Sequence, residues 1–288
     1  MAVCNATKTA MKIDYKALFH QERRKNEYLT SVINVYKNNH NVGEKDEVLL
    51  LLKLMYLNKN KKFEKLTNIF GDEASEGIEI IDQETKNEVV KYDDIKKCKG
   101  TSKADACIKM KKTSSVYNAS IKSKNGANPA ILNHTPRSAK VFNNSGKLAS
   151  EIPKIDILLD EYKQKRKDGI IGEDVNITTL EQMKTPEVCE SVKLMLSYFA
   201  FEGTGKGDSN HQANSILYID NNNIEFVRCM TQSEKNAYVD SIMNRCIISL
   251  RDKGMPKSVS DNCMPWVFNE HKPNGVIKQK GSLHIRIK

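Results

Sequence analysis

Long hydrophobic runs are missing from this sequence of 288 residues, and no stretch approaches the roughly 20 apolar residues that a membrane-spanning helix needs. No apolar segment at its start is typical of a secretion signal. Its seven cysteines form no Cys-x-x-Cys pair, and its six histidines show none of the spacings of a zinc site. We therefore expect a cytoplasmic protein with reduced thiols, no membrane span and no zinc centre.

Negative charge is also in short supply, since 36 acidic residues face 46 lysines and arginines. The net charge of +10 and the pI near 9.1 indicate a polyanionic partner such as nucleic acid. A generically basic protein is the alternative, and an AT-rich genome would also enrich lysine. No repeat or low-complexity linker divides the chain. We expect one composite domain, with a core in residues 1–150 that residues 151–288 complete.

Two short runs in the first half of the chain alternate apolar and polar residues, which is the period of a half-buried strand. They are ADACIKM (104–110) and YNASIKS (117–123), and the short polar linker between them predicts a β-hairpin. A symmetric loop would place Asp105 directly opposite Lys122. A carboxylate and an ammonium group would then stand together on the face of the hairpin that points away from the core.

A cross-strand ion pair is the plain interpretation of Asp105 and Lys122, and surface pairs of this kind contribute little to stability. An acid on one strand and an x-Lys pair on the next also resembles the core of the PD-(D/E)xK nucleases. That resemblance implies that the carboxylate holds a divalent cation, while the lysine orients water and offsets charge on the phosphate. The usual second acid is missing, because Ser120 occupies its position.

Two helices are predicted near the start, and the second carries acids that could replace the missing one. The first spans Lys12–Lys37, and the second, GEKDEVLLLLKLMYL, begins near Gly43 and is apolar enough to be buried. Glu44 and Glu47 lie one turn apart, in line with the buried residue Leu51. The helix dipole accounts for acids in a first turn, but not for their rotation toward the buried face. The pattern predicts that one of them completes a metal site.

Later segments predict further elements and basic contacts. The stretch TPRSAK combines a threonine cap with proline at the first helical position, so Arg137 and Lys140 would lie near a helix start, where phosphate is favoured. Residues 231–251 predict one helix. The closing run LHIRIK (283–288) alternates like a strand, with Arg286 on its basic face.

Three longer runs carry a closer resemblance. They are GEKDEVLLLLKLM (43–55), NASIKSKNGANPAILN (118–133) and GKGDSNHQANSILYID (205–220). Together with the basic last strand, they resemble type II restriction endonucleases of the HpaII kind. The shared features are a Gly-Glu-x-x-Glu helix, a Ser-Ile-Lys-Ser strand followed by a Leu-Asn element, and a late Gly-Lys-Gly stretch. The resemblance implies an α/β fold with a mixed β-sheet core of the PD-(D/E)xK nuclease type flanked by helices, and additional α+β elements in the C-terminal half.

The resemblance also implies roles for individual residues. The expected catalytic residues are Asp105, Lys122, Glu47 and Ser120, and the expected Mg²⁺ ligands are Asp105, Glu47, its competitor Glu44 and the backbone carbonyl of Ile121. The expected DNA contacts are Asn133, Arg137, Lys140, Lys124, Lys206 and Arg286. After Asn133 the sequence departs from the family pattern, with HTPRSAK in place of a stretch richer in Ser and Thr. Target specificity therefore does not carry over.

The expected activity is Mg²⁺-dependent cleavage of double-stranded DNA at a short specific sequence, with in-line attack of water on phosphorus and departure of the 3′ oxygen. Base readout is expected mainly from the C-terminal half, in the major groove. A homodimer is the simplest assembly that cuts a palindromic site symmetrically. Two alternatives remain, which are a non-catalytic basic nucleic-acid-binding protein and a structure-specific repair nuclease of the same fold.

Overall fold

The structure, a computed structural model, describes residues 15–98, 101–221, 223–271 and 275–288, which form a mixed α/β fold. The start of the first predicted helix, residues 12–14, lies outside the described residues. The described helices are α1 (Tyr15–Lys37), α2 (Val42–Lys59), α3 (Phe63–Phe70), α4 (Ile152–Lys167), α5 (Pro186–Ser197) and α6 (Gln232–Met243). None of them is long and apolar enough to cross a membrane.

Strands from both halves of the chain build the sheets. They are β1 (Ile78–Ile81), β2 (Ala106–Met110), β3 (Val116–Ser123), β4 (Ala130–Pro136), β5 (Val175–Asn176), β6 (Gly203–Thr204), β7 (Gly207–Asp208), β8 (Ser215–Asp220), β9 (Asn223–Arg228), β10 (Cys246–Arg251), β11 (Phe268–His271), β12 (Ile277–Lys280) and β13 (Ser282–Ile287). The main sheet has the order β1-β2-β3-β8-β9, and the second sheet has the order β4-β13-β10-β5. The main sheet is mixed, because β3 and β8 run parallel while its other neighbours are antiparallel.

Two hydrophobic clusters hold these layers together. The first lies between the main sheet and helices α2 and α3, and includes Leu54 and Ile108. The second joins α4, α5 and α6 to the second sheet, and reaches the main sheet at Ile216. The apolar run of α2 is buried as its composition predicts. Burial of this helix matters for function, because it fixes the acids of its first turns against the sheet.

The first turn of α2 is set by local chemistry. The Asn41 side chain accepts a hydrogen bond from the Glu44 N–H at 3.0 Å, and the Glu44 carboxylate accepts one from the Asn41 N–H at 3.1 Å. This reciprocal arrangement satisfies two of the N–H groups that a helix start leaves open. The helix therefore begins at Val42, close to the predicted start.

The predicted hairpin is present as β2 and β3, but its register differs from the expected one. Cys107 pairs with Asn118, and the same register, continued, brings Asp105 level with Ser120 and not with Lys122. The loop is two residues shorter than the expected one, because the Met110 N–H already donates a hydrogen bond of 2.9 Å to the Ser115 carbonyl. A shift of two residues leaves every side chain on its original face.

One predicted helix is absent, and another is shorter than predicted. The segment before Arg137 is the end of β4, where Thr135 pairs with Leu283 of β13. The predicted helix over 231–251 ends at Met243, and Cys246–Arg251 forms β10 in the second sheet. In both places the pairing partner is distant in the chain, so the local pattern does not reveal it.

Candidate active site

Asp105 stands one residue before β2 and reaches across to β3. Its carboxylate accepts the Ile121 N–H at 2.7 Å and the Ser120 hydroxyl at 3.3 Å. Burial raises the pKa of Asp105, while the positive charge of Lys122 and the bond from the Ile121 N–H oppose that rise. The strand pair thus places this carboxylate in a partly buried position, with Lys122 as the largest opposing charge.

Glu47 of α2 faces the same place. Burial and the negative charge of Asp105 raise the pKa of Glu47 to about 8, and the charges of Lys97 and Lys122 oppose the rise. The carboxylate accepts no hydrogen bond from any residue that the structure describes. Two partly buried acids that repel each other form a site that a cation stabilises. The rotation of Glu47 toward the interior, predicted from its line with the buried face of α2, brings the two acids together.

Glu44 is engaged differently. Besides its bonds at the helix start, its carboxylate pairs with the Lys97 ammonium and lies 3.6 Å from Nδ1 of His40. The hydrogen bond from Lys97 lowers the pKa of Glu44. Glu44 therefore stabilises the start of α2, and Glu47 is the acid that points at Asp105.

Asp105 and Glu47 supply only two of the oxygen ligands that a Mg²⁺ ion needs, so other oxygens would have to supply the rest. Mg²⁺ is commonly held by one or two carboxylates together with phosphate oxygens and water. Within the described ranges, no three His, Cys, Asp or Glu side chains are grouped closely enough to hold a metal by themselves. Asp105 and Glu47 supply two acids, and the backbone of Ile121 faces Asp105 through its N–H. Since N–H and C=O of one strand residue point to the same side, the carbonyl of Ile121 faces this site too.

Lys103 is a site residue that the sequence reasoning missed. Burial and the nearby charge of Lys122 lower the pKa of Lys103 to about 7, while Asp105 opposes that fall. Its backbone N–H is held by the Ser209 hydroxyl at 2.9 Å and approaches the His211 carbonyl at 3.2 Å. Lys103 precedes Asp105 by two residues. Side chains two residues apart in an extended segment point to the same side, and this period could have identified Lys103 as a site residue.

An open groove of about 580 Å³ brings three of the predicted DNA contacts together. Asn133 comes from β4, Lys140 from the turn after β4, and Lys206 from the loop between β6 and β7. All three side chains are exposed. The chain segments approach closely here, because a Cβ on Gly205 would lie 2.9 Å from the Thr135 side chain.

The other three predicted DNA contacts lie outside this groove. Arg137 forms a two-pronged pair with Asp156 of α4, with a closest N–O distance of 2.8 Å, so it joins β4 to α4 and does not start a helix. The Lys124 ammonium lies 4.7 Å from the ring centre of Tyr218. Arg286 donates from Nε to the buried His284 at 3.1 Å.

The β6–β7 hairpin connects the two regions. Its loop contributes Gly205 and Lys206 to the groove. The residues that follow, Asp208 and His211, line a cavity of about 740 Å³ that also contains Asp105. The β6–β7 hairpin and the residues after it therefore contribute both to the basic groove and to the cavity lined by Asp105.

Comparisons with protein-family models, with curated proteins and with solved structures find no match to this chain. Interpretation of the site therefore depends on its geometry and charge.

Proposed function

We propose that this protein is a Mg²⁺-dependent endonuclease that cuts duplex DNA. We further propose that its main sheet is a PD-(D/E)xK nuclease core in which the second acid has moved from β3 to α2. The observation that carries the proposal is the pair formed by Glu47 and Asp105 beside Lys122. Burial, and after it the charge of Asp105, raise the pKa of Glu47 to about 8. Groups with strongly shifted pKa values cluster at functional sites, because they raise the energy of the resting protein.

Each residue near the two acids has a proposed role. Asp105 and Glu47 would hold Mg²⁺, which when bound supplies Lewis-acid stabilisation of the phosphate. Lys122 would orient the attacking water and offset the charge that develops on phosphate. Lys103, whose ammonium forms no ion pair with any residue that the structure describes, would contact the same phosphate. Ser120 would only help to orient Asp105, through a hydrogen bond of 3.3 Å.

DNA would lie along the groove beside the β6–β7 hairpin. Lys140 and Lys206 are exposed there and suit phosphate oxygens, while the Asn133 amide suits the paired donor and acceptor of an adenine edge. The net charge of +10 favours a polyanion of this kind. The DNA backbone would then run from the groove across the β6–β7 hairpin to Asp105.

The resemblance noted in the sequence extends the proposal to a type II restriction endonuclease. Such an enzyme would cut both strands at a short specific sequence, and a homodimer would match a palindromic site. The three matching runs supply most of α2, the segment from β3 into β4 and the segment from the β6–β7 loop to β8, which are elements close to the proposed site.

A non-catalytic basic protein would use the groove without the acids. Two acids turned toward each other cost stability in a protein that binds no cation between them, so the pair favours an enzyme. A structure-specific repair nuclease would use both the groove and the two acids. Only its cleavage pattern would distinguish it from a restriction endonuclease.

Plasmid cleavage tests the proposal. Supercoiled plasmid incubated with the protein and Mg²⁺ should give discrete linear fragments, and EDTA should abolish them. Sequencing of the fragment ends should show one short motif. Binding without cleavage would support the non-catalytic alternative, and cleavage confined to junctions or to random positions would support a repair or nonspecific nuclease.

A further inference from the structure

A polar cluster ties the start of α2 to the end of β3. The Asp46 carboxylate accepts hydrogen bonds from the Ser123 hydroxyl and from the Asn125 side-chain amide, the latter at 3.0 Å. The Ser123 hydroxyl oxygen also accepts the Asn125 N–H at 3.2 Å. We call Asp46, Ser123 and Asn125 the Asp46 latch.

The Asp46 latch reaches a third element. The Asn125 side-chain oxygen accepts the N–H of Asn221, in the turn after β8, at 2.6 Å. Next to the latch, the Lys124 N–H donates to the Ile219 carbonyl at 2.8 Å. A helix, a strand end and a turn are therefore fixed at one point.

The position of the Asp46 latch in the sequence connects it to the active site. Asp46 directly precedes Glu47 on α2, and Ser123 directly follows Lys122 on β3. Because neighbouring residues of a helix or a strand move together, a bond between Asp46 and Ser123 sets how far Glu47 stands from Lys122 and Asp105.

We propose that the Asp46 latch is a positioning device that holds Glu47 at the separation from Asp105 that a divalent cation needs. This inference rests on the proposed metal-dependent nuclease function. None of the three latch residues would touch the metal or the DNA phosphate. Groups that orient metal ligands through hydrogen bonds commonly change metal affinity or activity by about 10-fold to 100-fold when they are removed.

Ser123→Ala tests the Asp46 latch against a matched control, Ser31→Ala. Ser31 on α1 donates a hydrogen bond of 2.8 Å to Asp93, so its loss also removes a serine–aspartate bond between two elements, away from the acids. We expect Ser123→Ala to raise the Mg²⁺ concentration for half-maximal cleavage about 10-fold. Ser31→Ala should leave that concentration within about twofold, since no hydrogen bond or ion pair among the described residues joins Asp93 to Glu47 or Asp105.

Two further variants separate positioning from general loss of stability. Ser123→Thr keeps the hydroxyl and should restore the wild-type Mg²⁺ requirement. The double variant Asp46→Asn with Ser123→Ala should be no worse than Ser123→Ala alone, because both changes remove one interaction. DNA affinity measured in EDTA should stay unchanged in all of them. If Ser123→Ala and Ser31→Ala have the same Mg²⁺ requirement, the positioning role is overturned.

Titration with Mn²⁺, followed calorimetrically, makes the test independent of cleavage. Weaker Mn²⁺ binding by Ser123→Ala than by Ser31→Ala supports the Asp46 latch, and equal binding overturns it. A wild-type protein that binds Mn²⁺ but cuts no DNA would overturn the proposed nuclease alone. A wild-type protein that binds no Mn²⁺ would overturn the positioning role as well.

Discussion

Glu47 on α2 and Asp105 before β2 face each other closely enough for the charge of Asp105 to raise the pKa of Glu47. Lys122 tempers this repulsion from the side of β3, and it also opposes the rise in the pKa of Asp105. The two acids come from a helix and a strand that are far apart in the chain. Their meeting is therefore a product of tertiary structure, and it places two carboxylates next to a lysine.

Ser120 occupies the usual place of the second acid, and we expect it to be dispensable. Its hydroxyl lies 3.3 Å from the Asp105 carboxylate, whereas the Ile121 N–H holds the same oxygen at 2.7 Å. Ser120→Ala should therefore keep cleavage within about tenfold of wild type, since one weak neutral hydrogen bond contributes about 1 kcal/mol. Single-turnover cleavage rates measure this, and a loss as large as that of Asp105→Asn would give Ser120 a direct role.

The raised pKa of Glu47 predicts how stability depends on pH without metal. The proton is bound more tightly in the folded protein, so its contribution is complete below the ordinary pKa of 4.5 and is lost as pH rises through about 8. Glu47→Gln removes this dependence. In EDTA it should be more stable than wild type at pH 8.5 by more than about 1 kcal/mol, since a tenfold change in a proton affinity corresponds to about 1.4 kcal/mol.

Urea denaturation at pH 5 and pH 8.5 measures that difference. Glu44→Gln is the matched control, because the pKa of Glu44 is lowered. Stability from Glu44 is present above its ordinary pKa and is lost as pH falls, so its variant should be less stable than wild type at pH 8.5. If Glu47→Gln were destabilised at pH 8.5 as much as Glu44→Gln, Glu47 would not be a buried acid under repulsion.

The groove predicts a local effect on DNA affinity. Lys140→Ala and Lys206→Ala should each weaken binding and reduce the slope of log affinity against log salt by about 0.9, the value for one lost phosphate contact. Lys184→Ala is the control, because Lys184 pairs with Glu181 and lines neither the groove nor the cavity beside Asp105. Fluorescence anisotropy with short duplexes across a salt series gives these slopes. If all three variants had the same slope, DNA would bind outside the groove.

Arg137 predicts an effect on stability and not on DNA contact. Its guanidinium is only 20% exposed and pairs with Asp156, which also accepts the Trp266 indole N–H at 2.7 Å. Arg137→Ala should lower the free energy of unfolding by about 2 kcal/mol, because hydrogen bonds to a charged partner are lost. DNA affinity below the melting temperature should stay near that of wild type. Unchanged stability with lost affinity would return Arg137 to the DNA surface.

Sequence patterns predicted the local parts of this site. The alternation of apolar and polar residues predicted β3, which carries Lys122, and β2, which follows Asp105. The position of Glu47 on the same helix face as the buried residue Leu51 predicted that Glu47 faces the interior. Both patterns depend on neighbours in the chain, and the sequence contains those neighbours. The mixed α/β class follows from the same signals, since the chain alternates buried helices with short strands.

Long-range pairing accounts for what the sequence did not predict. Thr135 pairs with β13, near the other end of the chain, so a local cap signal was taken for a helix start. The hairpin register depends on a loop that closes between Met110 and Ser115, two residues shorter than the expected loop. Lys103 was missed because only the folded chain shows its side chain buried beside Lys122 and Asp105.

Cleavage by Glu47→Gln shows whether Glu47 acts with Asp105 as a metal ligand. Initial rates of Mg²⁺-dependent cleavage of supercoiled plasmid would be compared for wild type, Glu47→Gln, Asp105→Asn and the control Glu44→Gln, with thermal denaturation to show that each is folded. Glu47→Gln and Asp105→Asn should each cut about 100-fold or more slowly than wild type, because a neutral amide holds Mg²⁺ poorly. Glu44→Gln should stay within about tenfold of wild type. Cleavage by Glu47→Gln at the wild-type rate would contradict the assignment of Glu47 as the second metal-binding acid.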